Sequence, residues 1–335
     1  MNVKSGFGLL KDSFKEWKED GALDLGASLA YYTIFSLAPM LLIALSVASL
    51  FWERGMAQRE LMGQMEGLVG QQGAQAVQTM LANAGREGSG VLGTIIGLVT
   101  VVFGATGVFA QLQKTLNRIW EVEAKPGGGI WSFVRTRLLS FGMVLGIGFL
   151  LLVSLVFSTM MASLDQWAEG LVPGVEILFR VLTFVVSFAL ITGLFAMIFK
   201  YLPDVKITWR DVWIGAAATA LLFTIGKFLI GLYLGRSTVA SSFGAAGSLI
   251  ILLLWVYYSA QILFFGAEFT QVYASRYGSR IQPDEHARPV VARKEVASTE
   301  EWRQRKEARR EEARPDGTDG TPERRSGRDR RSRRT

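Results

Sequence analysis

Seventeen consecutive residues, Leu249 to Phe265 (LIILLLWVYYSAQILFF), carry no charge, and five further stretches of the chain are comparably apolar. Spanning about 30 Å of hydrocarbon takes roughly 20 mostly apolar residues in a helix. Inside a bilayer the backbone polar groups must bond within their own segment, so such stretches are helices. The expected fold class is therefore all-α: a polytopic membrane protein with six transmembrane helices over about 27–52, 91–112, 138–161, 177–199, 212–234 and 246–272.

The flanking segments have their own character. Residues 1–26 place Phe7, Leu10, Phe14 and Trp17 at helical spacing among Lys11, Lys15 and Lys18, the pattern of an amphipathic helix on a membrane surface. Four lysines and five acids precede Gly26 with no early apolar run, so no cleaved leader is expected. Pro39 lies within the first span and removes one backbone bond there. Between spans 1 and 2, residues 53–90 put Leu61, Met65, Leu68, Val77, Met80 and Leu81 on one face, predicting one or two extracytoplasmic amphipathic helices. Residues 27–275 form the membrane domain, and 276–335 are expected to be a disordered tail. The tail holds 18 of the 36 Lys and Arg and 12 of the 29 Asp and Glu, so it is +6 and the rest of the chain is +1. With scarcely a large apolar residue beyond Trp302, it cannot bury enough surface to fold alone.

Lys and Arg are concentrated in the N-terminal segment and in the connections from span 2 to 3 and from span 4 to 5. The connection from span 3 to 4 has none, and that from span 5 to 6 has only Arg236. The positive-inside rule then places both termini in the cytoplasm.

Several chemistries lack the residues they require. There are no cysteines, and the one histidine, His286, lies in the tail. A metal-dependent nuclease needs a His and carboxylate cluster to activate water, and a metal-free one normally uses paired His or His with Lys. Intramembrane serine proteolysis needs a Ser–His pair, and an aspartyl type needs two Asp inside the spans. No GxxxxGK[ST] pattern is present for ATP binding. The expectation is no enzyme, no metal and no cofactor.

Polar groups inside the spans remain. An ionisable side chain at membrane depth costs at least about 2.5 kcal/mol, so each is a candidate site. Lys227 lies about 22 Å up a helix running outward from Val212. Arg180 is near the outer end of span 4, and with Lys227 and Arg236 it can make a basic outer patch suited to phosphate or carboxylate headgroups. Snorkelling anchors explain the same residues equally well. In span 6, Tyr258, Gln261 and Glu268 form a polar stripe, with Glu268 at inner-leaflet depth. In span 1, Ser28, Tyr32 and Ser36 recur every four residues and lead to Pro39. These two stripes can face each other across a polar cleft, or can simply hydrogen-bond between helices. Gly93 and Gly97 in span 2 match a GxxxG packing motif.

Four segments also resemble the YihY/BrkB family of bacterial inner-membrane proteins. They are Ala27-Ser-Leu-Ala-Tyr-Tyr-Thr-Ile-Phe-Ser-Leu-Ala-Pro39; Gly104-Ala-Thr-Gly107 with Leu116-Asn-Arg-Ile-Trp120; Tyr201-Leu-Pro-Asp204 with Trp209; and Leu253-Leu-Trp-Val-Tyr-Tyr-Ser-Ala260 with Gly266-Ala-Glu268. The similarity covers roughly residues 20–275 and departs at Phe243, where the family more often shows tyrosine. The resemblance implies a six-helix membrane domain without a settled activity. The family has carried a ribonuclease BN label and has been linked to transport and to envelope lipids. The expected function is non-ATP-driven transport or lipid translocation of an anionic or amphipathic substrate, with an envelope scaffold as the alternative. Expected partners are membrane lipids, anionic ones included, but no specific nucleic acid. A homo-oligomer, and a protein bound through the tail or residues 53–90, stay open.

Overall fold

The computed structural model describes residues 3–50, 53–84, 107–125, 142, 146, 149, 153, 175–236, 243, 246–278 and 281–290. Its helices are α1 (Val3–Glu19), α2 (Ala22–Ala48), α3 (Arg54–Ala84), α4 (107–119), α5 (Val175–Tyr201), α6 (Trp209–Arg236) and α7 (Gly247–Tyr277). Four described helical stretches are long and apolar enough to cross a membrane: Ala22–Ser46, Val181–Tyr201, Trp209–Leu234 and Gly247–Tyr277. They correspond to the expected spans 1, 4, 5 and 6. The expected spans 91–112 and 138–161 lie largely outside the described residues, as does the Gly93/Gly97 motif. Span 6 is longer than expected and continues to Tyr277, so Glu268 is nine residues from its end.

α7 is the central post, packed by α1, α2, α3 and α6, while α5 packs on α6. The α6–α7 crossing is set by two reciprocal pairs. A Cβ added at Gly215 would meet Thr270 Oγ1 at 1.9 Å, and one added at Gly266 would meet Thr219 Oγ1 at 2.1 Å. Each threonine therefore sits on the bare backbone of the opposite helix. Its hydroxyl then donates to the carbonyl four residues back in its own helix: Thr219 to Gly215 (2.7 Å) and Thr270 to Gly266 (2.6 Å). Small residues four apart on both strands of a crossing let helix backbones approach where no water drives them together. Thr33, Ser46, Thr192 and Thr224 bond back in the same way, which hides their hydroxyls from hydrocarbon.

The outward faces of α5 and α6 expose Ile177, Val181, Phe184, Leu221, Ile225 and Phe228. An apolar surface of that extent needs a lipid or protein partner. Tyr201, Trp209 and Trp213 are half-exposed where α5 ends and α6 begins, Tyr201 edge-on to Trp209 and Trp209 tilted against Trp213, which is the placement of an interfacial girdle.

At the distal end, α3 covers Leu41 and Leu45 of α2 and Leu252 of α7 with Val69, Val77 and Leu81. It consists of two helical arms that meet at Gly70, whose φ of 75° glycine adopts without strain.

At the opposite, proximal end, part of the expected tail is structured, and 291–335 lie outside the described residues. Residues 281–290 do not form part of a disordered tail. β3 (Gln282–Pro283) pairs antiparallel with β2 (Val205–Lys206), and β4 (Ala287–Pro289) pairs with β1 (Val122–Ala124). The first compact unit of the chain runs to Pro289. The segment cannot fold alone, but two loops of the membrane domain lend it strand edges. Arg288 Nε donates to Glu123 Oε1 (2.7 Å), and Lys125 Nζ donates to the Glu285 carbonyl (2.8 Å).

Candidate functional site

The proximal end is organised by the turn between α1 and α2. Asp20 and Gly21 make that turn, with Gly21 at φ 67°. α1 is held on α7 through Leu9 and Ser13, both fully buried, and through an Arg276–Asp12 ion pair. Gln261 Nε2 on α7 donates to the carbonyl of Ala22, the first residue of α2 (3.3 Å). Gly26 makes room for it, since a Cβ there would meet Gln261 Nε2 at 2.0 Å.

Two turns further along α7, Glu268 is only 1% exposed. Its carboxyl faces that of Asp20, with Glu16 and Glu121 close enough to act on both. Arg118, at the end of α4, is the cation acting on Asp20, and its guanidinium lies 3.8 Å from where a Gly21 Cβ would be. Burial, more than any neighbour, holds the Asp20 carboxyl above the usual aspartate range. Arg118 opposes this, and Glu121 and Glu16 add to it. Glu268 Oε1 and Gln261 Oε1 are both buried without a hydrogen-bond partner. Most buried polar atoms are satisfied, so two orphans on one face of one helix call for an explanation.

The sequence-derived candidates are distributed as follows. Ser36 is buried and Tyr32 is 42% exposed, and both lie beside Gly107 of α4. Pro39 is buried one turn on, and α2 continues through it. Tyr258 packs on Gly226 of α6, 3.0 Å from where a Cβ would be. The described contacts of the two stripes go to three neighbours: Gln261 to α2, Tyr258 to α6, and Tyr32 and Ser36 to α4. The reason is angular. At 3.6 residues per turn, a seven-residue step drifts only about 20°, so Gln261 and Glu268 share a face, whereas the three-residue step to Tyr258 turns it by about 60°. Lys227 is exposed on α6. It stands at the level of Tyr258, ten residues or about 15 Å from Glu268, so the two form no pair. The side chains of Arg180 and Arg236 lie outside the described residues.

Sequence reasoning singles out none of Asp20, Glu16 and Glu121, and it touches Arg118 only within the Leu116–Trp120 segment. The Asp20-Gly21 dipeptide was the available signal, because Asp-Gly marks a tight turn that can bring α1 back onto the membrane helices. A second polar cluster fixes the neighbouring loops. Asn117 Nδ2 donates to Asp204 Oδ2 (2.8 Å), and the Asp204 N–H donates to Asn117 Oδ1 (2.8 Å). Gln113 Nε2 adds a bond to Asp204 Oδ1 (3.3 Å). Among the described residues, no group of three or more His, Asp or Glu side chains is arranged to hold a metal ion.

A UPF0761 membrane protein of Verminephrobacter eiseniae is 32% identical over 249 residues, covering 73% of this chain and 57% of that protein. One from Alcanivorax borkumensis is 25% identical, with 80% and 60% covered, and one from Pseudoalteromonas atlantica is 26% identical, with 76% and 82% covered. The chain thus spans somewhat under two thirds of the length of the first two. No solved structure matches. The family model described as Virulence factor BrkB matches residues 13–291, from α1 through the last described strand. The chain therefore belongs to the BrkB family and is a membrane protein.

Proposed function

We propose that this protein is a non-ATP-driven transporter or lipid-translocating protein for an anionic or amphipathic substrate. In this reading it crosses the bacterial inner membrane six times, with both termini in the cytoplasm and the proximal end facing inward. The reading rests on one observation above all: buried polar groups, Ser36, Gln261 and Glu268, recur inside a bundle whose outer faces are apolar. Polar atoms at membrane depth are costly and usually mark a pathway. Exposed Lys227, with Arg180 and Arg236 on the same side in sequence, supplies positive charge for an anionic headgroup.

The test uses the absence of native cysteine. Gln261→Cys and Ser36→Cys are reacted in membranes with a small water-soluble thiol reagent, with lipid-facing Leu221→Cys as control. Translocation requires water to reach these polar positions in part of its cycle, so both should react faster than Leu221→Cys. Reaction no faster than the control would reject a path past these two residues. It would favour the alternative of an envelope scaffold, for which the paired 281–290 segment supplies a base.

A further inference from the structure

We propose that the Asp20–Glu268 carboxyl pair is a proton-binding site, and that loss of its proton parts the α1–α2 turn from α7. The site deepens the translocation reading and rests on it only in naming the proton as the coupling ion.

The Gln261–Ala22 hydrogen bond seats the α1–α2 turn on α7, which brings Asp20 to Glu268, and two carboxylates brought together there cannot both stay ionised at low cost. The two members sit in unlike surroundings. Glu268 is 1% exposed, and its Oε1 has no partner. Asp20 lies at a turn, half-buried, and can pass a proton to water. The pair therefore connects the dry interior of α7 to the proximal surface by one proton transfer, from Glu268 to Asp20 and then to water. Glu16 from α1 and Glu121 beyond α4 add negative charge, and Arg118 is the one cation acting on the pair among the described neighbours. Asp211 of α6 is occupied elsewhere, accepting from Thr208 Oγ1 (2.8 Å) against the end of α7.

Deprotonation has a mechanical consequence. Beside the pair, the α1–α2 turn is joined to α7 by the Gln261–Ala22 hydrogen bond, and α1 by the Asp12–Arg276 ion pair. Once both carboxyls are charged, they repel across the contact that closes the proximal end of the α2–α7 seam. Gln261, two turns deeper, is the next polar group that the opening would bring to water.

The test needs no transported substrate. Spin labels are placed at Lys18→Cys on α1 and Ser275→Cys on α7, both exposed. Their separation is measured in nanodiscs from acidic to alkaline pH. The distribution should lengthen or broaden as pH rises and stay constant in Glu268→Gln and in Asp20→Asn, either of which suffices if the other misfolds. A parallel infrared pH titration should show one protonated-carboxyl band that disappears in Glu268→Gln. A distribution that ignores pH, or one that shifts equally in both variants, overturns the proposal. A negative result here would leave thiol reactivity at Gln261→Cys and Ser36→Cys to decide the translocation reading separately.

Discussion

Gly215 and Gly231 lie on the same helix, and replacing each with alanine should have opposite effects. A Cβ at Gly215 would stand 1.9 Å from Thr270 Oγ1 and 2.6 Å from Thr270 Cβ and Cγ2. Carbon atoms are comfortable at about 3.5–4.0 Å, so α6 and α7 would have to separate by about 1 Å. Overpacking of this kind costs about 1–3 kcal/mol. At Gly231 nothing lies within 4 Å of the added atom, and the change gains the alanine helix preference of up to about 1 kcal/mol. Both variants receive that gain, so the difference between them isolates the clash at about 1–3 kcal/mol. Thermal unfolding in detergent, followed by the fluorescence of the nine tryptophans, reads it directly. Gly215→Ala should melt well below Gly231→Ala, and Gly215→Ala/Thr270→Gly should recover much of the loss. Equal midpoints for the two single variants would refute the interlocked crossing.

Further consequences follow from the polar clusters. Asn117→Ala removes two hydrogen bonds to Asp204 and should cost about 1–3 kcal/mol. Because the Asp284 N–H donates to the Asp204 carbonyl (3.0 Å), its hydrogen exchange should accelerate in the same variant, and unchanged exchange would uncouple the two loops. Arg288→Ala breaks the Glu123 contact and should speed amide exchange at Lys125, whose N–H bonds the His286 carbonyl (2.9 Å). Asp20 is held above its usual range, so the stability it contributes is complete below that range and is lost as pH rises through the raised value. Asp20→Asn should therefore flatten the decline in melting temperature as pH rises above the usual aspartate range, and parallel pH profiles for the two proteins would exclude this.

The membrane class was legible from apolar run length alone, because hydrocarbon thickness fixes how long a span must be. The buried face of residues 54–84 was also legible, and Val77 and Leu81 lie in the core where helical spacing placed them. Two things were hidden. Residues 281–290 look like polar tail in isolation, because the strand edges they borrow belong to loops some 80 and 160 residues away. The partner of Glu268 was equally hidden. Acid–acid pairing violates ordinary charge matching, and only the fold at Gly21 brings Asp20 to α7. The polar stripes were identified residue by residue, but their facing was not. Neighbour choice depends on turns of about 60° that a simple spacing rule rounds off.

The most direct measurement is leaflet exchange of fluorescent anionic and zwitterionic lipids in proteoliposomes, comparing the intact protein with Glu268→Gln and Lys227→Met. The account predicts headgroup-selective exchange that both substitutions reduce. Exchange no faster than in empty liposomes, or exchange indifferent to headgroup and to both substitutions, would contradict it.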